Sequence, residues 1–261
     1  MKTIAIANQK GGTGKTTTAY NLGIALTQQG YRVLMVDFDP QGNLSCYCGI
    51  PPEQDLEQTI TELLMKVAYE KPLSHRECVY QSKRTNDSAP QVDFIPSNLR
   101  LASFELAMGT MMCREVLLKT CLEQYSSQYD YCIIDNPPDI GLNVINALAI
   151  TDEVIVPVKV DEDALEGLDI VTEQIEDAKA FNPALKLAGV LITSYQNTDG
   201  EAAGVEWLEQ KTDFNILGII RYSKKVAENT FMRKPIYEYS PCCGAAQGYK
   251  KFVTAYTGKA R

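Results

Sequence analysis

The sequence predicts an α/β fold, a mainly parallel twisted sheet with helices on both faces. Short β-branched apolar runs alternate with longer amphipathic stretches, the pattern of strands joined by crossover helices. A glycine-rich loop joins the first apolar run to the first helical stretch. A chain of 261 residues with 45% apolar content can also bury a large core without disulfides or metal.

In chain order, residues 3–7 (Thr-Ile-Ala-Ile-Ala) form the first strand. Residues 15–29 form the first helix, which Gly30 ends, and residues 32–36 form the next apolar strand. Later strands are read at 92–95, 131–134, 153–158, 186–193 and 215–220, and residues 165–181 have helical periodicity. Residues 49–91, with Pro51-Pro52 and the polar run 81–90, read as a helical insertion and a loop. No repeat, low-complexity tract or linker divides the chain, so residues 1–261 are read as one domain.

Composition narrows the function. No apolar run approaches the ~18 residues of a membrane-spanning helix, and the N-terminus lacks the pattern of a secretory signal, so a cytoplasmic location is expected. The eight cysteines lack paired C-x-x-C spacing and are expected to be plain thiols. Only a fold that brought Cys46 and Cys48 to Cys242 and Cys243 would make a soft-metal site of them. Tyr20, His75 and Trp207 are read as structural. The net charge of −8 argues against nucleic acid, but it is unevenly distributed. Residues 216–261 carry nine basic and two acidic side chains, a local charge of +7, so the rest of the chain carries −15. Such segregation marks a candidate interaction surface.

The first loop reads Lys10-Gly11-Gly12-Thr13-Gly14-Lys15-Thr16-Thr17, a deviant Walker A phosphate loop between strand and helix. Glycines let the backbone wrap phosphate oxygens, and the following helix presents its positive N-terminal end. Lys15 is placed to reach the β and γ phosphates of ATP, and the Thr16 hydroxyl to ligate Mg²⁺. Two acidic segments accompany the loop. Asp37-Phe38-Asp39-Pro40-Gln41-Gly42-Asn43 ends the second strand, and Tyr131 to Asp135 is an apolar strand closing on an acid, as in Walker B, whose carboxylate would serve Mg²⁺.

With Lys10 ahead of the glycines, the loop resembles that of the ParA/MinD superfamily of deviant Walker A ATPases. The resemblance implies that Lys10 contacts phosphate across a nucleotide-sandwich homodimer. It also implies that Asp39 positions or activates the attacking water, with Asp37 supporting the metal shell. The catalytic candidates are therefore Lys10, Lys15 and Asp39, and the metal candidates Thr16, Asp37 and Asp135. No motif for another acceptor is present, so water is the expected nucleophile and a slow ATP hydrolase the expected activity.

Further segments resemble chromosomal and plasmid ParA (Soj-like) proteins. These are Asp93-Phe94-Ile95-Pro96-Ser97-Asn98-Leu99, Ala164-Leu165-Glu166-Gly167-Leu168, and Lys234-Pro235-Ile236-Tyr237-Glu238-Tyr239 with Gly244-Ala245. The phosphate loop begins near residue 10, which leaves no room for an N-terminal helix-turn-helix. The resemblance then implies nonspecific binding of double-stranded DNA by the ATP dimer, association with the nucleoid, and stimulation by a ParB-like centromere-binding partner. Arg221, Lys224, Lys225, Arg233 and Lys234 are the candidate DNA contacts. Ile220 and Tyr222 replace the Pro and Asn of the family's I-P-R-N segment, which sets this loop apart for adenine contacts. The alternative is a MinD-like membrane or scaffold regulator, for which Tyr249, Phe252, Val253 and Tyr256 supply an apolar stripe beside Lys250 and Lys251.

Overall fold

The computed structural model describes every residue except 51–53, 55, 75, 83–90, 140, 162–163, 212–213 and 259–261. His75 and the prolines at 51 and 52 therefore lie outside the described residues, as do Lys259 and Arg261 of the basic segment.

The chain runs β1 (Lys2–Ile6), α1 (Lys15–Gln28), β2 (Val33–Asp37), α2 (Asn43–Tyr47), α3 (Ile60–Ala68), β3 (Tyr80–Gln81), β4 (Asp93–Ile95), α4 (Arg100–Ala107) and α5 (Leu117–Glu123). It continues through β5 (Tyr131–Asp135), α6 (Leu142–Ile150), β6 (Glu153–Val158), α7 (Ala164–Ala178), β7 (Lys186–Tyr195) and α8 (Asp199–Lys211). β8 (Ile216–Arg221), α9 (Lys224–Phe231), α10 (Ile236–Tyr239) and α11 (Gly244–Thr257) complete it.

Among the described residues the strands form one eight-stranded sheet in the order β3-β4-β2-β5-β1-β6-β7-β8. Every neighbouring pair is parallel except β3 with β4. The central strands are almost wholly apolar because helices cover both faces. One cluster joins α1 and α11 to the sheet, a second holds α3, α4 and α5, and a third packs β6 and β7 under α6, α7 and α8. In open parallel sheets, ligands gather at the carboxyl ends of strands. Here the strand order sets the loop after β1 between the ends of β5 and β6, with the end of β2 one strand beyond β5.

Several boundaries move from the sequence reading, each with a physical cause. The second strand starts at Val33, because the Arg32 amide donates to Asp130 Oδ2 at 2.8 Å and its guanidinium pairs with the same carboxylate. That strand ends on Asp37, in register with Asp135 on β5. α7 stops at Ala178, three residues early, where Asn182 donates to the carbonyls of Leu148 and Thr151 just before Pro183. β7 runs two residues longer, pairing Tyr195 with Arg221 of β8. Within 49–91, α3 opens on a capping box formed by Thr59 and Glu62. The short antiparallel β3 went unread because two residues carry no period.

The stripe of Tyr249, Phe252 and Val253 is buried on the sheet, and the Tyr256 hydroxyl donates to Glu153 at 2.6 Å. α11 thus uses its apolar face in the core. No helix among the described residues is long and apolar enough to cross a membrane. Four cysteines are buried, and the Cys243 thiol caps α11 by accepting the Ala246 amide. Among the described residues no three or more His, Cys, Asp or Glu side chains are grouped so as to hold a metal by themselves, so the two cysteine pairs do not form such a site. Tyr20 is buried, with its hydroxyl on the Arg233 carbonyl, while Trp207 is 42% exposed.

Gly189 sits at the irregularity where β7 meets β6 and β8, with φ of +147°, and a Cβ there would run into the backbone carbonyl of Asn215. The nearest obstruction is backbone, with the Leu217 side chain next, so the clash is not relieved by moving a flexible side-chain end. Gly189→Ala is expected to destabilise by about 2 kcal/mol or more, read as a lower urea midpoint. A midpoint within error of the parent would show that the strand relaxes around the methyl.

Candidate active site at the strand ends

The loop between β1 and α1 is built by short polar contacts. Asn8 Nδ2 donates to the Pro157 carbonyl at 2.7 Å, and its Oδ1 accepts the Lys10 amide at 2.9 Å. From the other side, Thr193 Oγ1 donates to the Thr13 carbonyl at 2.7 Å. Gly12 and Gly14 have φ of +75° and +88°, a left-handed conformation that only glycine adopts without strain. A Cβ at Gly11 or Gly12 would meet no neighbouring atom, so that side of the loop is open for a ligand. Gly14 also caps α1, whose first residues are Lys15, Thr16 and Thr17.

Lys15 is only 7% exposed, and its Nζ donates to the Lys10 carbonyl at 3.1 Å. Burial lowers its pKa, opposed by the fields of Asp135, Asp39 and Asp139, in that order. An amine surrounded by acids is suited to a polyanion accompanied by a divalent cation. Lys10 points elsewhere: its Nζ forms a 2.6 Å ion pair with Asp161, in the loop after β6.

Asp135 is fully buried, and neither carboxylate oxygen completes a well-formed hydrogen bond, although the Thr16 hydroxyl approaches it. Burial, and then the charge of Asp37, push its pKa well up. Burial likewise pushes Asp37 up to about 7, against hydrogen bonds from Ser45 and Asp39. Two unsatisfied carboxylate oxygens beside a threonine hydroxyl fit a hard divalent cation, which takes oxygen ligands and removes the penalty of burying charge. Asp39 is 7% exposed; its Oδ1 accepts the Gln41 amide at 2.9 Å, and burial raises its pKa while Lys15 lowers it.

A cavity of about 390 Å³ continues from the loop, lined by Gly12, Thr17, Tyr47, Ser194, Arg221 and Lys224 among others. Its size suits a nucleoside. Two of the five candidate DNA contacts, Arg221 and Lys224, therefore stand at the mouth of this cavity as well as at the surface. Lys225 pairs with Glu228 at 2.7 Å, and Arg233 and Lys234 are half-buried in the turn after α9. The structure thus brings Lys15, Thr16, Asp39 and Asp135 together, and spreads the basic candidates along the β8–α9 edge.

The AAA domain family profile matches residues 1–187, well over half the chain. The chain is 37% identical over 253 residues to the sporulation initiation inhibitor protein Soj of Bacillus subtilis, covering 95% of each chain. It is 33% identical to the chromosome partitioning protein ParA of Caulobacter vibrioides, covering 100% of this chain and 96% of that one. The chain belongs to the ParA/Soj family of P-loop ATPases. Among solved structures, cobyrinic acid a,c-diamide synthase from Mycobacterium smegmatis, with bound ATP analogue and magnesium, is similar at 29% identity and a TM-score of 0.79. That match covers 99% of this chain and 97% of the other.

Four residues of this ParA-type site escaped the sequence reading. Asp139 adds its field to Lys15 and Asp39, and was signalled only by its place four residues after Asp135. Asp161 pairs with Lys10 across 151 residues, and Thr193 reaches the loop across 180. Tyr47 lines the cavity, its ring edge-on to Tyr20 at 5.8 Å. Nothing local to these last three residues announces the contact.

Proposed function

We propose that the chain is a DNA-segregation ATPase acting through one domain over residues 1–261. ATP and Mg²⁺ are its cofactors, and the ATP-bound form is a homodimer that binds double-stranded DNA nonspecifically. The observation that carries the nucleotide reading is the grouping of buried Lys15, Asp39 and Asp135 with half-buried Thr16, beside a nucleoside-sized cavity lined by Gly12, Gly14 and Thr17 of the same loop. Gly11 to Gly14 and Thr17 would wrap the phosphates with backbone N–H groups, and Lys15 would hold the terminal ones. Thr16 and Asp135 would hold magnesium, with Asp37 in support, and the bound ion would supply charge neutralisation for phosphoryl transfer. Asp39 would orient water for in-line attack and take its proton. Lys10 would leave Asp161 to meet phosphate of the partner subunit; an exposed ion pair of this kind holds it by about 1 kcal/mol or less.

The DNA reading is supported by the +7 segment, by Arg221, Lys224, Lys225, Arg233 and Lys234 within it, and by the Soj and ParA relatives. Contacts to phosphates alone bind without sequence preference and weaken steeply with salt. A ParB-like centromere-binding protein is the proposed stimulator, and the nucleoid the proposed site of the ATP-bound form. α11 buries its stripe and leaves the MinD-like membrane alternative without its helix face.

DNA retention measured against salt in ATP, ADP and a nonhydrolysable analogue tests this. Binding is expected with ATP and the analogue only, its logarithm falling linearly with the logarithm of salt. Substituting Arg221, Lys224 and Lys225 together by Ala is expected to remove it. Because two of these line the cavity, ATP affinity is measured on the same variant. Intact DNA binding in the triple variant would overturn the assignment of this edge.

A further inference from the structure

The two carboxylates that close neighbouring strands are held in opposite ways. Asp37 Oδ2 accepts both the amide and the hydroxyl of Ser45, each at 2.7 Å, and Oδ1 accepts the Asp39 amide at 3.3 Å. Asp135, in register one strand away, is buried with both oxygens unsatisfied. Ser45 is itself fixed. It is 2% exposed, and its Oγ accepts the Ser97 amide at 3.0 Å, from just beyond β4. With that lone pair occupied, its single hydroxyl proton is directed at Asp37. A relay thus runs from the Ser97 N–H through the Ser45 hydroxyl to Asp37, tying the end of β4 to the end of β2.

One consequence follows for the cation. A carboxylate with one oxygen doubly engaged is not free to turn and chelate, whereas both Asp135 oxygens are buried with no completed hydrogen bond. We propose that Ser45 is a positioning residue for the magnesium site. By fixing Asp37 it leaves Asp135 to meet the cation and keeps Asp37 as a supporting charge on the neighbouring strand. Groups that orient metal-binding residues from behind typically change affinity by about 10- to 100-fold when removed. The assignment rests on the ATPase reading above.

The test uses the full chain with ADP, and Mn²⁺ as the probe, titrated by electron paramagnetic resonance without turnover. Ser45→Thr and Ser45→Val add the same methyl-sized bulk and differ in the hydroxyl. The Thr variant is expected to bind Mn²⁺ within about threefold of the parent, and the Val variant about 10- to 100-fold more weakly. Metal-free ADP affinity is expected to be equal in the two. Equal Mn²⁺ affinity in both variants, whether kept or lost, would overturn the proposal. Should the Val variant not fold, Ser45→Ala replaces it. If neither folds while the Thr variant does, the hydroxyl serves the fold rather than the metal, and the proposal also falls. A parent that binds no Mn²⁺ with ADP would instead refute the ATPase site itself, before Ser45 is in question.

Discussion

Lys15→Ala is expected to abolish ATP binding, weakening it by about 100-fold or more. The amine is buried at the start of α1 and anchored on the Lys10 carbonyl; burial lowers its pKa, and the fields of Asp135, Asp39 and Asp139 oppose that shift. Charge-assisted hydrogen bonds of a buried cation each contribute about 1.5–3 kcal/mol. Their loss here is compounded, because the truncated site presents Asp39 and Asp139 to a triphosphate without the ammonium whose charge they face. Isothermal titration with ATP and Mg²⁺ measures the change. An affinity within threefold of the parent would mean that the backbone of the loop, rather than Lys15, holds the nucleotide.

Asp39→Ala is expected to separate binding from turnover. Asp39 stands beyond the end of β2, nearly buried, with one oxygen fixed by the Gln41 amide and its pKa raised by burial. A carboxylate whose pKa is raised toward the working pH is a better proton acceptor than a solvated one, and positioned acid–base groups contribute about 10²–10⁴-fold to rate. The variant should therefore still form the ATP-loaded dimer, seen by light scattering, while single-turnover hydrolysis slows at least about 100-fold. Hydrolysis near the parent rate would remove Asp39 from the chemistry.

The two expectations draw on parts of the site that were legible in the sequence to different degrees. Lys15 and Thr16 follow glycines at a strand–helix junction, so their role is readable from spacing alone, and Asp135 closes an apolar strand. The alternation of strands and helices gave the parallel sheet for the same reason. Asp37 was readable as an acid, but its place in register with Asp135 is set by the parallel pairing of β2 with β5, strands about a hundred residues apart in the chain. The basic segment was visible as a charge imbalance, yet its division between a cavity mouth, a paired lysine on α9 and a half-buried turn is a property of the packed chain. Thr193, Asp161 and Tyr47 reach the site over distances that no local period encodes.

The hydrogen bonds that seat the phosphate loop also bear on how the protein is made. Asn8 is held by Pro157, and Thr13 by Thr193, partners 149 and 180 residues later in the chain. Contacts of such separation carry a high loop-closure cost and form late in folding. At a synthesis rate of about 5–20 residues per second, the nascent loop exists for roughly 10–40 s before its last support has been translated. Through that interval the N-terminal segment is a glycine-rich stretch without its two long-range supports, so a nascent chain that has not yet reached β7 lacks the shaped site for nucleotide. Nucleotide competence arrives only once β7 has joined the sheet, which makes ATP binding a report that the greater part of the domain has been assembled.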